Sequence, residues 1–186
     1  MGYPEDTGIN TESIEKIHIF NKEQKEFNET YLERETNKHI SRVQHFIFIV
    51  IKELLDRVER HDRSKLEDPE REGFLEYTPK LRRSTYGSDE YKEFLKCLKP
   101  FLDHHYEFNQ HHPEHFEDGI LGMNLIDILE MLCDWRAATE RHADGNIRKS
   151  IEINQDRFGY SDDIKKILEN TVNLLENQEQ KSKEDV

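Results

Sequence analysis

Residues 36–65 read "TNKHISRVQHFIFIVIKELLDRVERHDRSK", and the spacing of the apolar side chains there decides the fold class. Ile40, Val43, Ile47, Val50, Ile51, Leu54 and Val58 recur every three or four residues, which lays a stripe along one face of an α-helix. Phe46, Phe48 and Ile49 widen that stripe, so the pattern predicts a central helix over 36–60, buried on most sides. Thr36 or Asn37 offers a side-chain oxygen to cap its first turn. At the far end the stretch changes character: His61 and Asp62 stand side by side, with Lys65 three residues on.

Outward from this helix the pattern stays helical. Towards the N-terminus, Ile14, Ile17, Phe20, Phe27 and Tyr31 follow a looser helical spacing, so residues 1–35 read as a helical extension. Towards the C-terminus, residues 64–88 hold two prolines and two glycines and predict a short helix after Asp68-Pro69, then an ordered loop. Ser88 starts another helix, with Tyr91, Phe94, Leu95, Leu98, Phe101 and Leu102 inward and Pro100 as a kink. A helix over 123–143 turns Met123, Ile126, Leu129, Leu132 and Ala137 to one side, and two more follow over 146–157 and 161–176. Residues 178–186 are polar and read as a disordered tail. No apolar–polar alternation and no hairpin signal interrupts the series. The expectation is an all-α, single-domain helical bundle over 36–177.

Charge narrows the function classes. The chain has 186 residues and a formal net charge of −13, with 36% charged residues. No basic stripe is available to displace counterions, so a nucleic acid polymer is not the expected partner. A small anion remains compatible, because a metal ion and a few local cations can reverse the sign inside a cleft. "FIFIVI", Phe46 to Ile51, is too short to span a bilayer, and "MGYPEDTGIN" lacks the basic and apolar regions of a signal peptide. Cys97 and Cys133 have no spacing motif; Cys133 reads as a small core residue and a cytoplasmic setting is the expectation.

The histidines are unevenly distributed. "HHYEFNQHHPEHF", His104 to Phe116, holds five of the ten. On a helix His105, Asn109 and His112 share one face, and His104 and His111 another. Asp127, Glu130 and Asp134 share a face of the helix "NLIDILEMLCDW". Imidazoles and carboxylates together suit Mn, Fe, Co, Ni or Zn, as one ion or two. Such ions lower the pKa of water and clamp phosphoryl oxygens, and Asp127 or Glu130 could position or deprotonate the water. His39 would sit roughly 30 Å from His61 on one straight helix, so the two meet only if the chain breaks between them. Glu114 and His115 read as ligands or as groups that orient ligands. His18, His45 and His142 read as ordinary surface or core residues.

"HDRSK" resembles the His-Asp-x-x-Lys signature of the HD-domain metal-dependent phosphohydrolases. "HHPEHFEDG" is similar to the His-His-Glu…Asp-Gly segment of the subgroup that hydrolyses cyclic dinucleotides, although the Gly-Tyr-Pro of that subgroup does not follow Gly119. "CDWRAATERH" looks like the terminal Asp segment of the superfamily. From about Thr36 to Thr171 the chain also looks like a family of uncharacterised phage and bacterial proteins, through "YGSDEY", "NQHHPEH", "EMLCDW" and "INQDRFG". The HD resemblance implies a helical bundle with His39, His61, Asp62 and Asp134 as ligands of one metal. It implies a second metal on His105 and His112, or on His104 and His111. Either Asp127 or Asp134 could be the last ligand, with the flanking residues favouring Asp134. Lys65 would contact a substrate phosphate, with Arg141, Lys149 and Arg157 as further anion contacts. The expected function is a metal-dependent phosphatase or phosphodiesterase acting on a small phosphorylated metabolite, a nucleotide first. The alternatives are a non-catalytic helical protein that binds a nucleotide signal or a protein partner around a structural metal, and a di-iron oxygenase of the same superfamily. Lys65 favours phosphate over a neutral oxidisable substrate.

Overall fold

The computed structural model describes residues 11–85, 88–141 and 145–184. His142, the far end of the helix expected over 123–143, and the side chain of Ile17 lie outside what is described. The described residues form six α-helices and no strand: α1 (Thr11–Arg60), α2 (Glu70–Arg83), α3 (Asp89–Phe108), α4 (Leu125–Thr139), α5 (Ile147–Phe158) and α6 (Asp162–Glu184). Short 3-10 turns at Arg63–Leu66, Pro113–His115 and Gly119–Gly122 link them. The all-α class is as the periodicity predicts. None of the described helices is long and apolar enough to cross a membrane.

The chain divides into two compact units, Met1–Lys52 and Glu53–Val186. In the first unit the described residues belong to α1 alone. No proline or glycine occurs between Thr11 and Arg60, so nothing stops the helix at residue 36. Thr36 and Asn37 are therefore interior helical residues and cap nothing. The apolar stripe expected in the core is exposed: Phe48 is 67% accessible, Ile47 52% and Val50 46%. Periodicity carries no information on what covers a helix face.

The second unit holds the core. Met131 and Leu132 of α4, Ile151 of α5, and Leu168 and Val172 of α6 are fully buried together, with Trp135 stacked on Phe158 at their edge. Here α4 packs on α5 and α5 on α6, while α2 packs on α3. The α2–α3 approach needs a glycine. A Cβ on Gly73 would lie 2.2 Å from the Phe101 ring. Where a short helix and a loop were expected, α2 runs to Arg83 with Pro79 inside it. Pro79 stands within the last turns, so the helix forgoes one backbone bond and continues.

The helix ends follow local capping. Ser88 starts α3 as expected, accepting from Tyr91 N at 3.1 Å. Asn124 and Asp127 form a capping box at α4, and Asn146 caps α5 by accepting from the amides of Arg148 and Lys149. Gly159, at φ 66°, ends α5 in the left-handed conformation. The polar stretch from residue 178, expected to be disordered, continues α6 to Glu184. Cys133, expected in the core, is exposed.

Candidate metal centre

The site is built where α1 ends. Asp62 has φ 57°, the left-handed region that aspartate tolerates better than most residues. This conformation stops α1 and starts the 3-10 turn Arg63–Leu66, with His61 N still donating to Arg57 O. The turn places the Asp62 carboxylate against histidines from the end of α3 and from the segment before Pro113.

Asp62 Oδ1 lies 3.2 Å from Nε2 of His105 and 3.5 Å from Nε2 of His111. Nε2 of His105 lies 3.0 Å from Nε2 of His112. His105 and His111 are 1% and 2% exposed. One ligand atom from each of Asp62, His105, His111 and His112 falls within 4.8 Å of all the others. Two further groups adjoin this one and share members with it: His61, His111 and Glu130, and His61, Asp62 and Asp134.

The partners of these rings decide where the protons are. His105 Nδ1 is 2.8 Å from Oε2 of Glu70, which is fully buried and can only accept. The His105 proton therefore sits on Nδ1, leaving Nε2 a bare lone pair that faces a carboxylate and another imidazole nitrogen. The competing neighbour of that Nδ1, Asn109 Nδ2, spends its protons on Ser64 Oγ at 3.0 Å and His105 O at 2.8 Å. His111 Nδ1 stands 3.4 Å from Glu130 Oε1, which favours the same tautomer. Asp62 Oδ1 and His111 Nε2 are buried without a hydrogen-bond partner. Buried polar atoms without a partner are unfavourable unless a proton or a cation sits among them.

The spacing fits that cation. With metal–ligand bonds of about 2.1 Å, neighbouring ligand atoms stand about 3.0 Å apart in octahedral geometry and about 3.4 Å apart in tetrahedral geometry. The distances of 3.0, 3.2 and 3.5 Å lie in that range. The residues at this place are close enough to hold a metal ion. Mixed imidazole and carboxylate donors suit several divalent transition metals.

Around the donors stands a supporting layer. Glu70 also takes His104 Nδ1 at 2.9 Å and the Ser64 hydroxyl at 2.9 Å. Arg57 donates to Glu130 Oε2 at 3.0 Å, Asp127 Oδ1 at 2.9 Å and Gln110 Oε1 at 2.6 Å. Lys65 Nζ meets Asp62 Oδ2 at 2.6 Å and lies over the Phe74 ring. His61 reaches Glu130 Oε1 through Nδ1 at 2.9 Å, and its Nε2 lies 3.8 Å from both Asp62 Oδ2 and Asp134 Oδ1.

The acids and imidazoles of the cluster shift one another. Asp134 and Glu130 lift His61 to about 10 against its partial burial. Burial pushes His112 down to about 3, and the neighbouring His111 and His105 add to the effect. Burial alone would raise Asp62, but the Lys65 ammonium and the charged His61 prevail and hold it well below the usual carboxylate range. Glu130 is lowered by His111 and His61 in the same way, again against burial.

The sequence candidates sort clearly. His61, Asp62, His105, His111, His112, Glu130 and Asp134 come together. Asp134, not Asp127, joins His61 and Asp62. Asp127 is 1% exposed and has both oxygens engaged, one by Arg57 and one by the Asn124 amide, so it is not free to serve as a base. His39 is exposed on α1 and belongs to none of the groups, because α1 does not break between His39 and His61. His104 turns to Glu70 and Asn109 braces Ser64. His115 donates through Nδ1 to Tyr106 O, tying its turn to α3. Glu114 pairs with Arg157. Arg141 and Lys149 are exposed.

Sequence reasoning missed Glu70, Ser64 and Arg57. Glu70 follows Asp68-Pro69 at a helix start, where an acid is ordinary, and only its complete burial marks it out. Residues 28–180 match the family model described as "Family of unknown function (DUF5662)". No curated protein and no solved structure matches the chain. The match spans most of the chain and the whole His and Asp cluster, so this protein belongs to the DUF5662 family of unknown function.

Proposed function

We propose that this protein is a metal-dependent phosphohydrolase acting on a small phosphorylated metabolite, with nucleotides the first class to test. One observation supports the reading above all: two buried acceptors without partners, Asp62 Oδ1 and His111 Nε2, converge with His105 and His112. The order His-Asp, His-His, Asp is that of the HD phosphohydrolases, with the first histidine of that pattern left out. Asp62, His105, His111 and His112 would hold one ion, and His61, Asp134 and Glu130 would face a second. A bound divalent ion would supply Lewis acidity towards a phosphoryl oxygen and a lower pKa for water.

The protein's own groups divide the remaining work. Glu70 keeps the His105 proton on Nδ1 and so aims Nε2 inwards. Glu130, held by Arg57, orients His61 and His111. Lys65 is the nearest cation to the donors, and its ammonium would offset charge on a phosphoryl group. Beside the cluster lies a cavity of about 210 Å³, lined among others by Arg57, His61, Ser64, Asn109 and Glu130.

The test is a phosphatase and nucleotide screen on metal-loaded protein, beside Lys65→Met and Asp62→Asn. The expected result is metal-dependent release of phosphate, lost in both variants. No turnover with any of Mn, Fe, Co, Ni or Zn bound would remove the enzyme reading. A second reading has its own observation: the four-donor group is nearly enclosed, as structural metal sites are. It predicts that chelation unfolds the second unit and that ligands bind without product.

A further inference from the structure

We propose that Arg60 reads a second anionic group on the substrate, so that the site takes a small phosphorylated metabolite carrying a further phosphate or a carboxylate. The inference rests on the phosphohydrolase reading above, whose substrate class it narrows.

Helical register brings Arg60 to the site. Arg57, Arg60 and His61 stand at i, i+3 and i+4 where α1 ends, and the His61 amide still donates to Arg57 O at 2.8 Å. That spacing makes the three side chains neighbours. All three line the cavity of about 210 Å³ beside the cluster, and so does Glu130. His61 and Glu130 also belong to the donor groups. A ligand whose phosphoryl group meets an ion held there has the rest of its body in the cavity that Arg60 lines.

The charges of the neighbours leave Arg60 for a ligand. Arg57 is committed to three carboxylates, those of Glu53, Asp127 and Glu130. Lys65 is committed to Asp62. Arg60 donates through Nε to the backbone oxygen of Asp56 at 3.2 Å, a bond that orients the guanidinium and leaves its charge unneutralised. No carboxylate among the described residues pairs with it, so its two Nη groups keep the fork geometry that carboxylates and phosphates accept. Gln110, on the same lining, uses Oε1 to accept from Arg57, which leaves its Nε2 as a further donor.

Size limits the rest of the ligand. A cavity of about 210 Å³ has the volume of roughly seven water molecules at about 30 Å³ each. Sites for drug-sized ligands measure about 300–1,000 Å³. A short carbon skeleton with two anionic groups suits this volume and this donor set.

The experiment is isothermal titration of the full chain, loaded with the ion that co-purifies, with β-phosphonopropionate and with propylphosphonate. The two match in length and share a P–C bond that phosphoester hydrolysis leaves intact; only the first carries a carboxylate. β-Phosphonopropionate should bind about 10-fold or more tightly than propylphosphonate. In Arg60→Met that advantage should shrink to about 2-fold or less, with propylphosphonate affinity, bound metal and helical content unchanged. Arg60→Lys, which keeps the charge and loses the fork, should retain part of it. Equal affinity for the two probes in the native protein overturns the proposal, and so does binding of neither. An advantage that survives in Arg60→Met overturns it too, and assigns the carboxylate to the metal. A turnover assay separates the inference from the reading beneath it. An advantage that depends on Arg60, with no phosphate released from any ester, supports Arg60 as an anion contact and removes the hydrolase. Phosphate release without the advantage does the reverse.

Discussion

Glu70 Oε2 lies 2.8 Å from Nδ1 of His105, and this contact decides which nitrogen of His105 faces Asp62. The same carboxylate also receives His104 and the Ser64 hydroxyl, so one buried acid sets the tautomer of one histidine and the rotamer of another. Glu70→Gln leaves one carbonyl acceptor where three donors converge. The expected result is metal affinity lowered roughly 10–100-fold with the helical fold intact, read by isothermal titration with the ion that co-purifies. Unchanged affinity would show that Glu70 serves packing alone.

Gly73 stands one turn beyond Glu70 on the face that meets α3. A methyl group there meets the Phe101 ring at 2.2 Å, so Gly73→Ala must push α2 away from α3. A loss of about 1–3 kcal/mol is expected in urea unfolding, with weaker metal binding because Glu70 moves too. Adding Phe101→Leu should return part of both losses. A neutral Gly73→Ala would mean that α2 and α3 approach less closely than described.

Lys65 Nζ lies 2.6 Å from Asp62 Oδ2, an oxygen that a second metal ion would also need. Lys65→Met should leave the first ion in place and lower phosphoester hydrolysis by roughly 10²-fold or more, the scale of a lost electrostatic contact in a transition state. Elemental analysis beside a turnover assay checks it. Loss of metal in this variant would mean that Lys65 holds the cluster together and does not serve a substrate.

The metal-free protein should be most stable near pH 6.5. His112, held down to about 3, is neutral in the fold and takes up a proton on unfolding, so stability falls as pH drops below about 6.5. His61, lifted to about 10, is charged in the fold, so its contribution is lost as pH rises from about 6.5 through 10. Thermal melts of chelated protein from pH 4 to 10 should trace this dome. A melting temperature that rises steadily across the range would contradict the protonation pattern described here.

Much of this was legible in the sequence. Helical structure over 36–60, from Ser88 onward and over 146–157 follows from periodicity and from caps such as Ser88, because both act within a few residues of chain, although α1 starts well before residue 36. The pairing of His61 and Asp62 with Asp134 was implied by the resemblance to the HD-domain phosphohydrolases. Three things were not legible, for one physical reason: they depend on what lies opposite a residue. The Ile47 stripe looks the same in sequence whether it faces a core or solvent. His39 depends on a helix break that no proline or glycine supplies. Glu70 becomes distinctive only when α2 lies on α3 and buries it against His104 and His105.

The central claim is that Asp62, His105, His111 and His112 hold an ion. The most direct measurement is metal content by elemental analysis on untagged protein purified without chelator, beside Asp62→Asn and His39→Ala. Asparagine keeps the left-handed backbone at residue 62 and removes the charge. One or two equivalents of a divalent transition metal in the native protein and in His39→Ala, and a loss of it in Asp62→Asn with the fold retained, is the predicted result. No metal in the native protein, or full metal in Asp62→Asn, would contradict it.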